Sequence, residues 1–368
     1  MADIKQWLPA AWQRQAWWLV FLLPLSAVYA AVTGLIRLSY RFGWQQAYRA
    51  PVPVMVVGNI TVGGSGKTPL IIHLVKYLQQ HYQLNVGVIS RGYGAKISGA
   101  KISAATLDGV QISAAKDQAV TDPEELDGFP RLVTAEATPD QVGDEPVLIV
   151  QQTGVPMAVA PNRQAAIECL LAAHPEIELI LSDDGLQHLA LARDIEWIVL
   201  DAARGIGSGW LLPAGSLRES AKRLQHSTVL IHGQTDTELT DTDLQMQLLA
   251  QPLQPLNLMQ QHDDIKPCAG DRVHAVAGIG HPARFFQQLR ALGFVVIEHA
   301  FADHHDYVAA DVAFADGLPM VTTGKDAVKL FGLGVNGWVL PVEASLSEGC
   351  YRVLHQQLSA VGLVPTAD

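Results

Sequence analysis

At 368 residues, with 49% hydrophobic and 17% charged side chains, the chain is long enough for two α/β domains and too apolar for disorder. Its net charge of −11 argues against a nucleic-acid partner, because neutralising phosphates needs a basic face. Cys169, Cys268 and Cys350 are scattered with no C-x-x-C pair, so neither a disulfide framework nor a zinc site is supported and a reducing cytoplasm fits best.

The N-terminal end reverses the charge balance, with Lys5, Arg14, Arg37, Arg41 and Arg49 against Asp3 alone, which suits an anionic membrane surface. No charge falls between Gln15 and Ile36. Trp17 to Leu23 is apolar on every side of a helix, as contact with hydrocarbon requires. Beyond Pro24, Ser26, Tyr29, Thr33, Arg37 and Tyr40 recur every three or four residues beside Val28, Val32, Leu35 and Ile36. That polar stripe predicts an interfacial helix, with Trp12, Trp17 and Trp18 as headgroup-level anchors. Two other readings stay open: a core helix, and a cleaved signal peptide ending near Val28-Tyr29-Ala30. The second conflicts with the nucleotide loop that follows, since ATP is a cytoplasmic substrate.

Val52 to Val57 is a short β-branched run, and Gly58 to Thr68 follows it, then the periodic Leu70-Ile71-Ile72-Leu74-Val75-Leu78. Strand, glycine loop and helix make the context of a P-loop, whose curled backbone aims N–H groups and a helix N-terminus at phosphate oxygens. Lys67 is placed to reach the β- and γ-phosphates and Thr68 to hold Mg²⁺. Thr61 stands where the general pattern has its first glycine. Lys96 to Pro130 is rich in Ala, Ser and Asp and reads as an excursion from the core. Asp144 and Glu145 precede Pro146, which favours an extended or turn geometry and exposure. Ile177 to Leu181 is a second buried-type strand running into Ser182-Asp183-Asp184-Gly185, so two carboxylates sit at a strand's C-terminal end, where one can hold Mg²⁺. Phe301 to Tyr307 is dense in titratable groups, but neighbours at i and i+1 point apart and make no metal cage by themselves.

Together these stretches resemble the tetraacyldisaccharide 4′-kinases, the lipid A 4′-kinases of Gram-negative bacteria. The resemblance rests on Val57-Gly58-Asn59-Ile60-Thr61-Val62-Gly63-Gly64 with Gly66-Lys67-Thr68-Pro69, Ser90-Arg91-Gly92-Tyr93-Gly94, Val142 to Pro146, and Asn162-Arg163. It continues through Ser182 to His188, Leu212-Pro213-Ala214-Gly215 with Leu217-Arg218-Glu219, Gly278-Ile279-Gly280 before Pro282, Asp303-His304 before Tyr307, and Lys325 to Lys329. Thr61 is the family's own form of the loop. Ser208, Ser216 and Gly324 depart from its usual Asn, Pro and Glu, away from the phosphate loop and the acids.

The resemblance implies an α/β fold: a P-loop-containing α/β/α domain and a second, smaller α/β domain, with an N-terminal membrane-associated helix. The expected division is 1–48 for the helical segment, 49–235 for the nucleotide-binding domain with its 96–130 excursion, and 236–368 for the smaller domain. It implies ATP and Mg²⁺ in the first domain and an acylated glucosamine disaccharide 1-phosphate lipid in the cleft, at the cytoplasmic face of the bacterial inner membrane. No protein partner is evident. Thr61, Val62, Gly63, Gly64, Ser65, Gly66, Lys67 and Thr68 would cradle the nucleotide, and Thr68, Asp183 and Asp184 would hold the metal. Asp144 would activate the acceptor hydroxyl with His304 as its partner, His305 being the alternative, while Lys67, Arg163 and Arg218 meet the transferring phosphoryl group. Two rival readings are a P-loop GTPase or soluble kinase, and a membrane-bound nucleotide sensor. Thr323-Gly324-Lys325-Asp326 lacks the order of a guanine-reading motif, and a soluble kinase has no use for residues 15–36.

Overall fold

A computed structural model describes residues 4–97, 100–101, 128–233, 244–257 and 266–365. Most of the 96–130 excursion and the expected boundary at 235 thus lie outside the described residues. Apart from a short antiparallel pair at Lys96–Ile97 and Ala100–Lys101, the strands are β1 (Val54–Gly58), β2 (Val86–Ser90), β3 (Arg131–Leu132), β4 (Met157–Val159), β5 (Leu179–Asp183), β6 (Ile195–Asp201), β7 (Thr228–His232) and β8 (Gln245–Ala250). They continue with β9 (Gln254–Pro255), β10 (Arg272–Ala277), β11 (Val295–Ala300), β12 (Met320–Thr323), β13 (Trp338–Leu340) and β14 (Val342–Leu346). The helices are α1 (Ile4–Gln13), α2 (Leu23–Arg41), α3 (Lys67–Tyr82), α4 (Pro139–Val142), α5 (Asp144–Thr153), α6 (Arg163–Ala173), α7 (Pro282–Ala291), α8 (Gly324–Leu330) and α9 (Glu348–Ala360).

Val54 to Val57 is apolar on both sides of the strand, so β1 needs cover on both faces and takes the middle of a large sheet. The strand order is β14-β8-β7-β6-β1-β5-β2-β4-β3, parallel except at its two edges. Leu70, Leu74 and Leu78 of α3, Val147 and Ile149 of α5, and Leu354 and Leu358 of α9 fill one face. Ala166, Ile167 and Leu170 of α6 fill the other. Each such side chain contributes about 1.5–3 kcal/mol on burial, so the three-layer core fixes where every strand end lies. A second sheet, β9-β13-β12-β10-β11, has its own core around Phe285, Phe286, Leu289 and Trp338.

The segment expected as one domain at 236–368 divides between the two sheets. The second sheet occupies 254–340, and β14 and α9 return to the first. Alternating residues of β14, Ala344 and Leu346, are buried against α3, so this strand belongs to the first core.

The N-terminal stripe also corrects an expectation. Its polar side is turned to the protein: Ser26 Oγ donates to Leu211 O at 2.8 Å, Tyr29 Oη donates to Arg218 O at 2.9 Å, and Arg37 pairs with the buried Glu219 at 2.6 Å. Fixed carbonyls and a carboxylate outcompete a shifting headgroup layer for these groups, and the apolar side is left outward, with Leu25, Val28 and Leu35 all more than half exposed. Of the tryptophans, Trp17 is 79% exposed, whereas Trp18 stacks on Trp7 and Trp12 Nε1 donates to Pro213 O. Residues 17–41 are long and apolar enough to cross a membrane, and little of their apolar stretch is buried in the protein.

Candidate active site

The glycine loop leaves the C-terminal end of β1 and enters α3. Asn59, fully buried, shapes it: its Nδ2 donates to Thr61 O at 2.7 Å and Gly63 O at 3.2 Å, and its Oδ1 accepts from Lys67 Nζ at 3.0 Å. Gly63 and Gly66 have φ of +101° and +88°, a region that L side chains avoid, so the curl requires glycine there. Thr61 is different. It is paired with Leu217, and Val62 N donates to Ser216 O at 2.9 Å, so the chain is extended at the position where the general pattern has glycine. Val62, Gly64, Ser65 and Thr68 line the same cavity as Lys67.

Parallel register sets Asp183, the last residue of β5, beside Val57, the residue before the loop begins. Asp183 is 1% exposed, and neither carboxylate oxygen has a hydrogen-bond partner among the described residues. Burial, then the charge of Glu145, pushes its carboxyl up to about 7 against the pull of Lys67 and Arg163. A buried carboxylate short of a counter-charge fits a divalent cation, so the residues present suit Mg²⁺. Asp184, half-buried, is held below the usual carboxylate range by Arg218 at 3.0 Å and Lys67 at 3.4 Å. Asn162 caps α6 by accepting from Gln164 N and Ala165 N, which places Arg163 in the first turn with its Nη2 donating to Asp183 O at 2.9 Å. His188, pushed down to about 3 by burial and by Arg163, Arg91 and Arg193, is a neutral imidazole in the same cleft.

Asp144 opens α5, where the helix N-terminus favours an anion. Gly143 before it has φ +95°, and a Cβ there would stand 2.3 Å from Tyr93 O, so the Ser90–Gly94 and Val142–Pro146 stretches are two halves of one backbone contact. His304 Nδ1 lies 2.9 Å from Asp144 Oδ2, and Lys329 Nζ lies 3.0 Å from the same oxygen. His305 is turned away, with Nε2 3.0 Å from Asp311. Burial alone would raise the Asp144 carboxyl, but Lys325, His304 and Lys329 outweigh it and hold it well below the usual range. Lys325 itself joins Glu145 at 3.0 Å, Asp303 at 3.3 Å and His304 Nε2 at 3.2 Å. Asp144 and Glu145 come from the first sheet's unit, His304, Lys325 and Lys329 from the second's, so this cluster exists only when the two are docked. The lysines and Glu145 carried no role in the sequence reading. Lys325 and Lys329 are four apart on α8, a spacing that puts both on one helical face and could have flagged them.

Lys67, Arg163, Asp183, Arg218, His304 and Lys325 line one cavity of about 700 Å³, with Asp144 buried next to His304, and Val28, Val32 and Ile36 of α2 form an apolar wall of it. A chain of polar contacts runs from that helix to the loop: Arg37 to Glu219, Glu219 to Gln187 at 2.9 Å, Gln187 to Arg218 at 3.2 Å, and Arg218 to Asp184. A glycine cradle suited to nucleotide phosphates at one end, a separate acid–histidine pair for an acceptor and an apolar flank make this a P-loop phosphotransferase acting on an amphiphile.

The family described as tetraacyldisaccharide-1-P 4′-kinase matches residues 18–115 and 123–359. A protein named tetraacyldisaccharide 4′-kinase from Psychrobacter arcticus is 44% identical over 98% of this chain and 97% of its own. One of the same name from Pseudomonas putida is 43% identical over 92% of each. Among solved structures, the "apo" form of LpxK from Aquifex aeolicus in complex with ATP is 25% identical with a TM-score of 0.67, covering 93% of this chain and 99% of that one. The chain belongs to the tetraacyldisaccharide 4′-kinase family.

Proposed function

We propose that this chain transfers the γ-phosphoryl group of ATP to the 4′-hydroxyl of a tetraacyldisaccharide 1-phosphate, a late step of lipid A biosynthesis, with Asp144 and His304 handling the acceptor proton. The observation that carries this reading is that His304, 2.9 Å from the buried Asp144, lines the same cavity as Lys67 and Asp183, flanked by the apolar wall of α2. The new bond joins the sugar oxygen to phosphorus, the bond from phosphorus to the β,γ-bridging oxygen breaks, and ADP leaves. A loose transition state asks for positioning and charge compensation more than for a strong base, so a carboxylate held well below the usual range suffices. Asp144 orients the hydroxyl and takes its proton late, and His304 and Lys329 steady the carboxylate. Lys67, Arg163 and Arg218 offset the phosphoryl charge. Thr68, Asp183 and Asp184 would hold Mg²⁺, which when bound neutralises charge gathering on the phosphate oxygens.

The exposed apolar side of α2, the tryptophan at 17 and the basic N-terminal end support a seat on the cytoplasmic face of the inner membrane, where both ATP and an acylated acceptor are at hand. Asp144→Asn tests the assignment. It lowers kcat by about 10²–10⁴-fold, the range of a lost proton acceptor, and leaves the ATP dissociation constant near that of the parent. Turnover equal to the parent's removes Asp144 from the mechanism.

A further inference from the structure

The Gly278-Ile279-Gly280 stretch and Arg284 take no part in the chemistry above, yet they belong to the second sheet's unit and bring Gly280 against the phosphate loop. Asp326, buried, accepts from Gly278 N at 3.0 Å and so fixes where this segment begins. Gly280 then lies so near the loop that a Cβ on it would stand 2.9 Å from Gly64 N. In the first turn of α7, Arg284 Nη2 is 2.8 Å from Asp201 Oδ2. Asp201 ends β6, the strand beside β1, and is 1% exposed.

Two more side chains gather about Asp201 and reach the loop from behind. Arg204 Nε lies 3.6 Å from the carboxylate, and its Nη2 donates to Gly64 O. His232 Nδ1 lies 2.9 Å from Ser65 O, the geometry of a tautomer that donates to the carbonyl, and its ring would be 3.0 Å from a Cβ on Gly66. A trans peptide points its C=O and the next residue's N–H to opposite sides. Holding the Gly64 and Ser65 carbonyls from behind therefore turns the N–H groups of Ser65 and Gly66 toward the other side, as a phosphate cradle needs. Of the cations at Asp201, Arg284 makes the close contact and Arg204 the looser one, so the second sheet supplies the stronger counter-charge to a carboxylate nearly closed to water.

We propose that Asp201 is a positioning residue for the phosphate loop, and that Arg284 latches the 278–284 segment to it, so that docking of the second sheet's unit and the shape of the loop depend on each other. Lys325–Glu145 and Lys329–Asp144 hold the two units elsewhere in the cleft, so losing the latch loosens the loop locally and does not part the units. The inference rests on the nucleotide-binding reading of the loop, and amide exchange in the nucleotide-free protein tests the latch apart from that reading.

The experiment compares hydrogen–deuterium exchange of the full-length parent, Arg284→Gln, Arg284→Lys and Gly280→Ala without nucleotide. Losing a charge-assisted bond speeds exchange of residues 63–66 and 278–285 together by about 10-fold in Arg284→Gln, with β2 and β10 unchanged. Arg284→Lys recovers most of the protection, and Gly280→Ala, whose methyl would strike Gly64 N, reproduces the loss. In turnover, Arg284→Gln raises KM for ATP by about 10-fold with KM for the lipid unchanged, a split that a smaller folded fraction does not produce. Faster exchange in 278–285 alone, or an unchanged KM for ATP in folded Arg284→Gln, overturns the coupling. A protein without kinase activity that still shows paired exchange keeps the latch and loses only the functional reading.

Discussion

Asp183→Asn separates the cost of building the metal site from the gain of filling it. The carboxylate is buried at the end of β5 with neither oxygen hydrogen-bonded among the described residues, and burial with Glu145 moves it from 3.8 up to about 7. An acid whose folded pKa is raised favours the fold fully only below its unfolded value. That contribution falls away as pH climbs from 3.8 through about 7, and above it the ionised group costs on the order of 4 kcal/mol, at ~1.4 kcal/mol for each pH unit between the two values. Asparagine keeps the shape without the charge. In thermal unfolding at pH 8 without metal or nucleotide, the variant melts higher than the parent by about 8 °C, taking ~2 °C per kcal/mol for a protein of this size. The gap closes as pH approaches 4. Adding Mg²⁺ to ATP-saturated protein narrows the gap, because a site filled at a hundredfold excess over its dissociation constant gains about 2.7 kcal/mol and the variant has lost a ligand. A variant that melts no higher than the parent at pH 8, or that gains as much from Mg²⁺, would refute the assignment of Asp183 to the cation.

Arg37→Ala leaves the buried Glu219 without its closest cation, costing about 1–3 kcal/mol of stability, and slackens the chain to Gln187, Arg218 and Asp184. Turnover falls even on detergent-dispersed lipid; full activity there would show that α2 acts only as an anchor. Phe21→Asp with Leu35→Asp alters the outward face alone, so co-sedimentation with anionic vesicles drops by at least about 10-fold while ATP affinity holds. Unchanged vesicle binding would move the membrane contact elsewhere. Lys325→Met removes the foremost of the charges that depress Asp144, so the Asp144 pKa rises, the acid limb of the pH–rate profile moves to higher pH and kcat drops by about 10²-fold. An acid limb that stays in place would detach Lys325 from the acceptor base.

The phosphate loop was legible because its chemistry is local: a β-branched run, glycines at fixed offsets, then Lys67 and a helical period. The acid pair at 183 and 184 was legible for the same reason, since a strand-end Asp lands beside the loop once β1 and β5 pair. Local rules could not show that β14 and α9 return to the first sheet, because that depends on Ala344 and Leu346 meeting α3 across some 270 residues of chain. Nor could periodicity say which side of α2 faces out. Ser26, Tyr29 and Arg37 have partners at 211, 218 and 219 that no helical wheel contains. The choice of His304 over His305 leaned on resemblance, and the fold brings His304 to Asp144 through a positive φ of +58° that spacing does not reveal.

In the proposed reaction one cleft presents ATP's terminal phosphate to a sugar hydroxyl on a membrane lipid. Purified full-length chain, γ-labelled ATP, Mg²⁺ and tetraacyldisaccharide 1-phosphate in mixed micelles, with the product read by phosphorus NMR, test it directly. A second phosphomonoester on the 4′-oxygen, absent with Lys67→Ala, is the expected result; label released only as free phosphate, or carried at any other position of the sugar, would contradict it.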